Sequence, residues 1–390
     1  MDLATQSRTL VPAVAGVLPS AHFIQSLDTT QADEYGSMHS CCANRGGHHR
    51  SQTRFSVIPA MESSTRPHIE ISCIIPTVGR DRILCDTIGM LLSQSHAAHE
   101  IIVVDQTEKH DEATNDALTA WEKQGVIRWI RQAEPNASRA RNTGALNATG
   151  NILLFLDDDI IVETDFLESY ARAFEPDDVA GVCGQLLQGE GKTGKPVFDL
   201  PPGVDDPDFG WLRFPKNYGK PYITSWMISA NVAVRRSLFI ELGGMDENYV
   251  KGAMREEGDF AMRFARAGYK FHFEPKASVF HLGHPIGGAR IGRRYKGLPG
   301  WHHEIGDWYF TLGYANRRTL FPLLKSSLRH FVFNRYNAAH PWWLPVIFLR
   351  WVCAFPVALT QRLRGAKLIQ TRPGEQTPPP PSRDSPEVET

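Results

Sequence analysis

The sequence predicts an α/β fold, with a mainly parallel central sheet flanked by helices and a helical region after it. Two observations carry that prediction. Short apolar runs recur from Ile69 onward and alternate with helix-like stretches, which is the spacing of βαβ units with right-handed crossovers. Two of those runs end in carboxylates, at Asp105 and at Asp157-Asp158-Asp159. In parallel sheets ligands bind beyond the carboxyl ends of the strands, so these acids converge on one crevice.

Residues 1–66 are rich in Ser, Thr, Gln, His and Gly and read as a disordered extension. The mildly apolar stretch 10–18 within them is too short to span a bilayer and lacks a basic flank. Met61 offers an internal start, an expectation that N-terminal sequencing of the natural protein would check. Residues 69–75 then predict the first strand, ended by Pro76. Gly79-Arg80-Asp81 opens a helix whose apolar face is Leu84, Ile88, Leu91 and Leu92. A second buried strand covers 100–105, a polar helix 112–123 and a third strand 126–130. A helix starts at Asn136 and stops at Thr149-Gly150. The fourth strand is Asn151-Ile152-Leu153-Leu154-Phe155-Leu156, which discharges into the three aspartates.

Three adjacent carboxylates repel one another, and desolvation at a strand end raises that cost. A hard divalent ion, Mg²⁺ or Mn²⁺, is the natural counter-charge for oxygen ligands that also hold a phosphate. The plain structural reading is a solvated acidic loop. Asp105 is placed to accept hydrogen bonds from a base or a ribose. No Gly-x-Gly-x-x-Gly follows the first strand, which disfavours the usual dinucleotide fold and a P-loop. The net charge of -1 gives no global pull towards nucleic acid. Six cysteines in 390 residues make no disulfide framework, and His48-His49 near Cys41-Cys42 is discounted as a zinc site.

Ser72-Cys73-Ile74-Ile75-Pro76-Thr77, Val103-Val104-Asp105, Ala140-Arg141-Asn142-Thr143-Gly144 and Phe155-Leu156-Asp157-Asp158-Asp159 occur in that order. The ordered set resembles family 2 of the inverting, nucleotide-sugar-dependent glycosyltransferases, which have the Rossmann-like GT-A fold. The likeness runs on through Gly243-Gly244-Met245-Asp246-Glu247 and Glu256-Glu257 to Val279-Phe280-His281, about residues 69 to 282. It implies that Asp105 contacts the nucleotide base, that Thr77 lies under the nucleotide and that Arg141 belongs to the donor side. It implies that Asp157 and Asp158 hold ribose and metal, with Asp159 the most direct metal ligand and His281 completing the metal site.

The second half reads as the acceptor side. Residues 179–185 predict a strand, and 189–219 a long loop carrying Trp211, Phe214 and Tyr218. Residues 225–234 predict a strand pair or a bulged strand; the resemblance implies that this region, with Trp226 and Asn231, touches the acceptor, and plain core is the bland reading of Trp226. A helix opens at 254–260 and closes at Gly268. Its acids suit a helix N-terminus electrostatically. An inverting transfer also needs a carboxylate to take the acceptor proton. The resemblance puts that base on Glu257, one methylene longer than the family's usual Asp, with Glu256 and Asp259 as the other candidates.

Gly283, Gly287, Gly288 and Gly292, with Arg290, Arg293, Arg294 and Lys296, predict a loop that folds over a diphosphate. The stretch 342–359 is apolar and rich in Trp but contains Arg350 and two prolines, which fits an interfacial segment better than a spanning one; a buried core helix is the bland reading. The expected organisation is a disordered 1–66, a transferase domain over 67–284, a basic and aromatic helical region over 285–370 and a disordered tail over 371–390. The expected activity is transfer of a sugar from a nucleotide-sugar donor to a glycan or lipid-linked acceptor, at the inner face of the cell membrane. A nucleotidyltransferase and a non-catalytic sugar-nucleotide-binding protein are the alternatives.

Overall fold

The computed structural model describes residues 68–188, 199–252, 254–288 and 300–370. The expectations for 1–66, for the first part of the 189–219 loop, for Arg290, Arg293, Arg294 and Lys296 and for the tail lie outside these residues.

The chain runs β1 (Ile71–Thr77), α1 (Arg82–Leu92), β2 (Glu100–Asp105), α2 (Glu112–Lys123), β3 (Arg128–Arg131), α3 (Ala137–Asn147) and β4 (Ile152–Leu156). It continues as β5 (Ile160–Val162), α4 (Phe166–Ala173), β6 (Gly181–Gln188), α5 (Gly210–Arg213), β7 (Tyr222–Thr224), β8 (Asn231–Arg235), α6 (Arg236–Glu241), α7 (Glu256–Arg266) and β9 (Phe271–His281). Then come α8 (His302–Tyr314), α9 (Leu320–Ser327), a π-helical turn (Leu328–Val332), α10 (Arg335–Ala338) and α11 (Leu344–Arg364).

The strands form one sheet in the order β3-β2-β1-β4-β8-β6-β9-β5, with β7 on β9. The run β3-β2-β1-β4 is parallel, as the βαβ spacing predicts. Beyond it β8 enters antiparallel to both β4 and β6, so the second half is mixed. That entry has a positional consequence. Asn231, at the start of β8, sits opposite Leu156, at the end of β4, so the segment leading into β8 meets the acidic triplet.

Local chemistry explains the boundaries. Asn136 caps α3 by accepting from the Arg139 N–H at 3.0 Å, and Asp111 caps α2 by accepting from Thr114 at 2.7 Å. Gly144 lets α3 lie against β1, since a Cβ there would stand 2.4 Å from Ile74. Strand β1 runs through Pro76 instead of ending before it. Pairing with β4 already stops at Ile74, so the missing N–H breaks no ladder bond on that side. Leu92, expected on the buried face of α1, is exposed, while Cys85 and Thr87 are buried. Of the strand pair expected at 225–234 only the second part is strand: 225–230 is a loop leading into β8, and β7 lies before it and pairs with β9. Phe155, Phe239, Phe260, Phe264 and Phe271 belong to the main core, between the sheet and helices α3, α6 and α7.

The C-terminal helices are tied back to this core. Helix α8 packs along both α7 and α11. After α11 the chain returns to the loop before α7: Glu247 N donates to Lys367 O at 3.0 Å and Ile369 N to Gly243 O at 2.8 Å. Among the described residues, Pro341–Arg364 is the one helical stretch long and apolar enough to cross a membrane.

Candidate active site

A cavity of about 190 Å³ opens at the carboxyl edge of β1 and β4, lined by Thr77, Arg80, Gln106, Arg141, the three aspartates, Glu256 and His281 among others. The aspartates differ in surroundings. Asp158 is buried; it accepts from Thr77 Oγ1 at 2.7 Å and from Arg80 Nε at 3.2 Å. Burial outweighs the Arg80 charge and pushes its carboxyl up to about 7. Asp159 is buried too, and accepts from Arg80 Nη2 at 2.9 Å and from the backbone N of His284 at 2.8 Å. Asp157 keeps about a third of its side chain exposed (32 %).

His281, the last residue of β9, faces two of these acids. Its Nε2 lies 3.1 Å from Asp159 Oδ1 and 3.4 Å from Asp157 Oδ2. Burial opposes a charge on this ring, but the hydrogen bonds to Asp157 and Asp159 prevail and push it up to about 9. Asp157, Asp159 and His281 offer ligand atoms all within 4.8 Å of one another. Adjacent ligands on an octahedral ion with bonds near 2.1 Å stand roughly 3 Å apart, so these spacings fit one. Two carboxylate oxygens and an imidazole nitrogen also suit Mn²⁺ or Mg²⁺ chemically.

The opposite wall comes from α3 and α7. Arg141 is buried, and its Nη1 donates to Glu256 Oε1 at 2.8 Å; Nη2 lies 3.7 Å from Asp157. Burial raises the Glu256 carboxyl, and Arg141 opposes that rise. Glu257, next along α7, is half-buried, and among the described residues no hydrogen bond or ion pair engages its carboxylate. Burial and the neighbouring Glu256 charge push it up to about 7. Before them stands Arg255, a buried non-glycine residue in the left-handed region (φ 77°). Its guanidinium lies over Trp211 at 4.6 Å and donates to Asp307 of α8 at 2.9 Å.

Three expected contacts are placed elsewhere. Asp105 is fully buried behind the cavity, where it accepts from His110 Nε2 (2.8 Å), Trp129 Nε1 (3.0 Å), Arg131 Nη1 (2.6 Å) and Thr107 N (2.8 Å). Its neighbour Gln106 lines the cavity instead. Trp226 is core: its ring packs on Gly258 of α7 and edge-on to Phe310. Asn231 is fully buried and repairs the sheet. The β6–β9 register slips between Gly184 and Gln185, and Asn231 Nδ2 donates to Gln185 O and Ala277 O there, at 2.9 and 2.8 Å. Neither residue lines the cavity.

The sequence reading missed Arg80, which it took for a helix opener. Arg80 Nη1 also donates to the carbonyls of His284 (3.2 Å) and Ile286, and Gly288 N donates to Val78 O at 2.7 Å. Segment 284–288 is thereby strapped across the mouth. A Cβ at Gly287 would stand 2.0 Å from Gly79 O, so only glycine permits this approach. A cation at the carboxyl end of β1, facing acids at the end of β4, was the available signal.

Residues 72–243 match the family model described as glycosyl transferase family 2. The chain is 27 % identical over 195 residues to the O-antigen biosynthesis protein RfbC of Myxococcus xanthus, covering 46 % of this chain and 15 % of that protein. It is 25 % identical over 191 residues to the glucosyl-dolichyl phosphate glucuronosyltransferase of Haloferax volcanii, covering 46 % of this chain and 57 % of the relative. It thus spans less than two thirds of either. A solved structure of GalNAc-T7 with UDP, GalNAc and Mn²⁺ aligns with a TM-score of 0.47 at 17 % identity, over 66 % of this chain and 54 % of that one. The match over 72–243 takes in β1 through β8 and with them Thr77, Arg80, Arg141 and the acidic triplet, and over this segment the chain is similar to glycosyl transferase family 2.

Proposed function

We propose that the chain transfers a sugar, with inversion, from a nucleotide-sugar donor to a hydroxyl of a glycan or lipid-linked acceptor. One observation carries this reading: a metal-type cluster (Asp157, Asp159, His281) lines one cavity with Arg141 and Glu256, and Glu257, next to Glu256 at the start of α7, is a carboxylate of raised pKa that no hydrogen bond or ion pair engages among the described residues.

Asp157, Asp159 and His281 would hold the ion, Mn²⁺ or Mg²⁺, which when bound neutralises the donor diphosphate. Thr77, Gln106 and Asp158 form the wall for the nucleotide. Asp105 acts through that wall, since its hydrogen bonds fix the end of β2 just before Gln106. Glu257 takes the acceptor hydroxyl proton. Its pKa of about 7 leaves it poised near neutral pH, as general-base efficiency requires. Glu256 suits that role less, because Arg141 already engages its carboxylate. Drug-sized ligands occupy roughly 300–1,000 Å³, so strap 284–288 withdraws for a donor to enter the smaller cavity.

The relative named as a glucosyl-dolichyl phosphate glucuronosyltransferase supports a lipid-linked acceptor here. We place the transferase at residues 67–284 and the helical region 285–370 at the cytoplasmic face of a membrane. Sugar-nucleotide hydrolysis measured with and without Mn²⁺ tests the reading. Metal-dependent release of the nucleoside diphosphate supports it. Inert sugar nucleotides, with pyrophosphate released instead from a nucleoside triphosphate and a sugar phosphate, point to a nucleotidyltransferase, and no turnover of either to a binding protein.

A further inference from the structure

Helix α11 is apolar on opposite faces, and the fold uses one of them. Ile347, Trp351, Ala354 and Ala358 are buried, at helical spacing, against α8 and the π-helical turn. Trp351 is fixed several times over. Its ring lies 4.6 Å from that of Trp308, its Nε1 donates to Ser327 Oγ at 2.8 Å, and its carbonyl accepts from Trp308 Nε1 at 2.9 Å. The other face presents Leu349, Val352 and Pro356 to solvent, where a helix of a soluble protein places polar side chains. Only 22 % of the most apolar window of this helix is buried, so core packing does not account for its composition.

The exposed patch extends beyond α11. Phe321 of α9, Phe333 after the π-helical turn and Trp342 before α11 are 73 %, 63 % and 67 % exposed. Their near neighbours in the chain, Leu324, Val332 and Trp343, belong to or pack on one small core with Phe331, Ile347 and Trp351. Large apolar groups gathered from three segments are more than the scattered singles of an ordinary surface.

Charge selects the occupant. From Trp308 to Gln370 the sequence holds nine Lys and Arg and no Asp or Glu, in a chain of net charge -1. Lys325, Arg329, Arg335 and Arg364 are exposed. A second copy would bring the same cations against them, whereas anionic headgroups complement both the charge and the aromatic rim. The docked face also bars a crossing. A spanning α11 would have to give up Trp351's contacts and the Arg350–Glu304 ion pair at 2.9 Å.

The surface lies one helical turn from the cavity. In the first turn of α8, Glu304 binds Arg350 of α11, while the adjacent His303 lines the cavity. Trp301 Nε1, just ahead, donates to the Arg350 carbonyl at 3.2 Å.

We propose that the outward side of α9 to α11 is a monotopic docking surface for an anionic bilayer. Helix α11 lies in the plane of the interface, and the rim of the cavity is held at the lipid. Delivery of the acceptor from that side rests on the transfer reading; docking does not.

The test is flotation of the full chain with phosphatidylcholine vesicles, with and without phosphatidylglycerol. Two multiple variants at exposed positions accompany it: Leu349→Asp with Val352→Asp, and Lys325→Ser with Arg329→Ser and Arg335→Ser. The full chain is expected to float with anionic vesicles. The aspartate variant should lose at least about 10-fold in bound fraction, the scale of two forfeited aliphatic burials. The serine variant should lose binding only where phosphatidylglycerol is present. Melting temperatures and Mn²⁺-dependent donor hydrolysis without vesicles should stay unchanged in both, which separates failed docking from a failed transfer reading. Flotation indifferent to both variants overturns the proposal. So does retention through carbonate washing, which marks a spanning helix, or a dimer in light scattering that the aspartate variant dissolves.

Discussion

Two strands of the parallel half end in aspartate, and the two ends have opposite fates. At the end of β2, Asp105 is sealed by four donors from the residues after it and from β3. At the end of β4, Asp157 stays partly open and shares His281 with Asp159 across a cavity. The neighbouring strand makes the difference. Strand β3 runs parallel to β2 and carries Trp129 and Arg131 onto Asp105. Strand β8 runs antiparallel to β4, so from that neighbour the acids meet the chain entering β8, including Ser229; their basic partners Arg80, Arg141 and His281 come from other elements and line the cavity with them. A place at a carboxyl edge thus locates a ligand crevice, and the partners decide which acids remain available to a ligand.

The largest expected effect tests the open end. Asp159→Asn should abolish Mn²⁺-dependent donor binding in calorimetry while preserving the fold, since the change is isosteric; undiminished binding would remove the metal from this end. Next, Glu257→Gln should keep donor affinity and lower turnover by about 10²-fold, the usual scale for a lost general base. Near-normal turnover would move the role to Glu256 or Asp259. The closed end should answer in stability. Asp105→Asn leaves Arg131 and His110 without their carboxylate and should cost about 3 kcal/mol in denaturant unfolding, the scale of breaking a buried pair. A variant as stable as the parent that fails to bind donor would show Asp105 to be a ligand group after all.

The smallest effects are in pH. If Glu257 must be ionised to act, turnover should rise through about pH 7 and level off above it. For the closed end the sign follows from the partners. Hydrogen bonds from His110 and Thr107 overcome burial and hold Asp105 below its ordinary 3.8, so its contribution is present above 3.8 and fades as pH falls through the depressed value. Asp105 raises His110 above its ordinary 6.5, so that contribution is complete below 6.5 and is lost as pH rises through the raised value. His110→Gln should therefore cost most stability between about pH 4 and 6.5 and least at alkaline pH. A cost independent of pH would assign His110 a packing role only.

Much of this was legible in the chain. Apolar runs with turn residues between them marked β1 to β4 and the helices around them, and Asp157 to Asp159, Arg141, Glu256 and His281 do meet at one cavity. The side chains whose surroundings the sequence did not show share a cause: partners distant in sequence. Nothing near Asn231 announces a register slip between β6 and β9, and nothing near Trp226 announces Gly258 beneath its ring. Asp105 looked available because His110, Trp129 and Arg131 carry no local sign that they converge on it. Strand β5 and helix α4 were too short to show a period.

Arg255 bears on how such a protein can be taken apart or recombined. A left-handed backbone at a non-glycine residue costs on the order of 1–3 kcal/mol, and here Asp307 and the Trp211 ring hold it in place. Asp307 lies 64 positions beyond Gly243, where the family match ends (307 - 243 = 64). A domain excised or exchanged at that limit would lose α7 with both glutamates. One cut after His281 would keep them but drop the clamp that presents them. Chimaeras of this protein should therefore carry their crossover beyond α8, and the strap formed by Lys367 to Ile369 on Gly243 and Glu247 argues for moving it past α11.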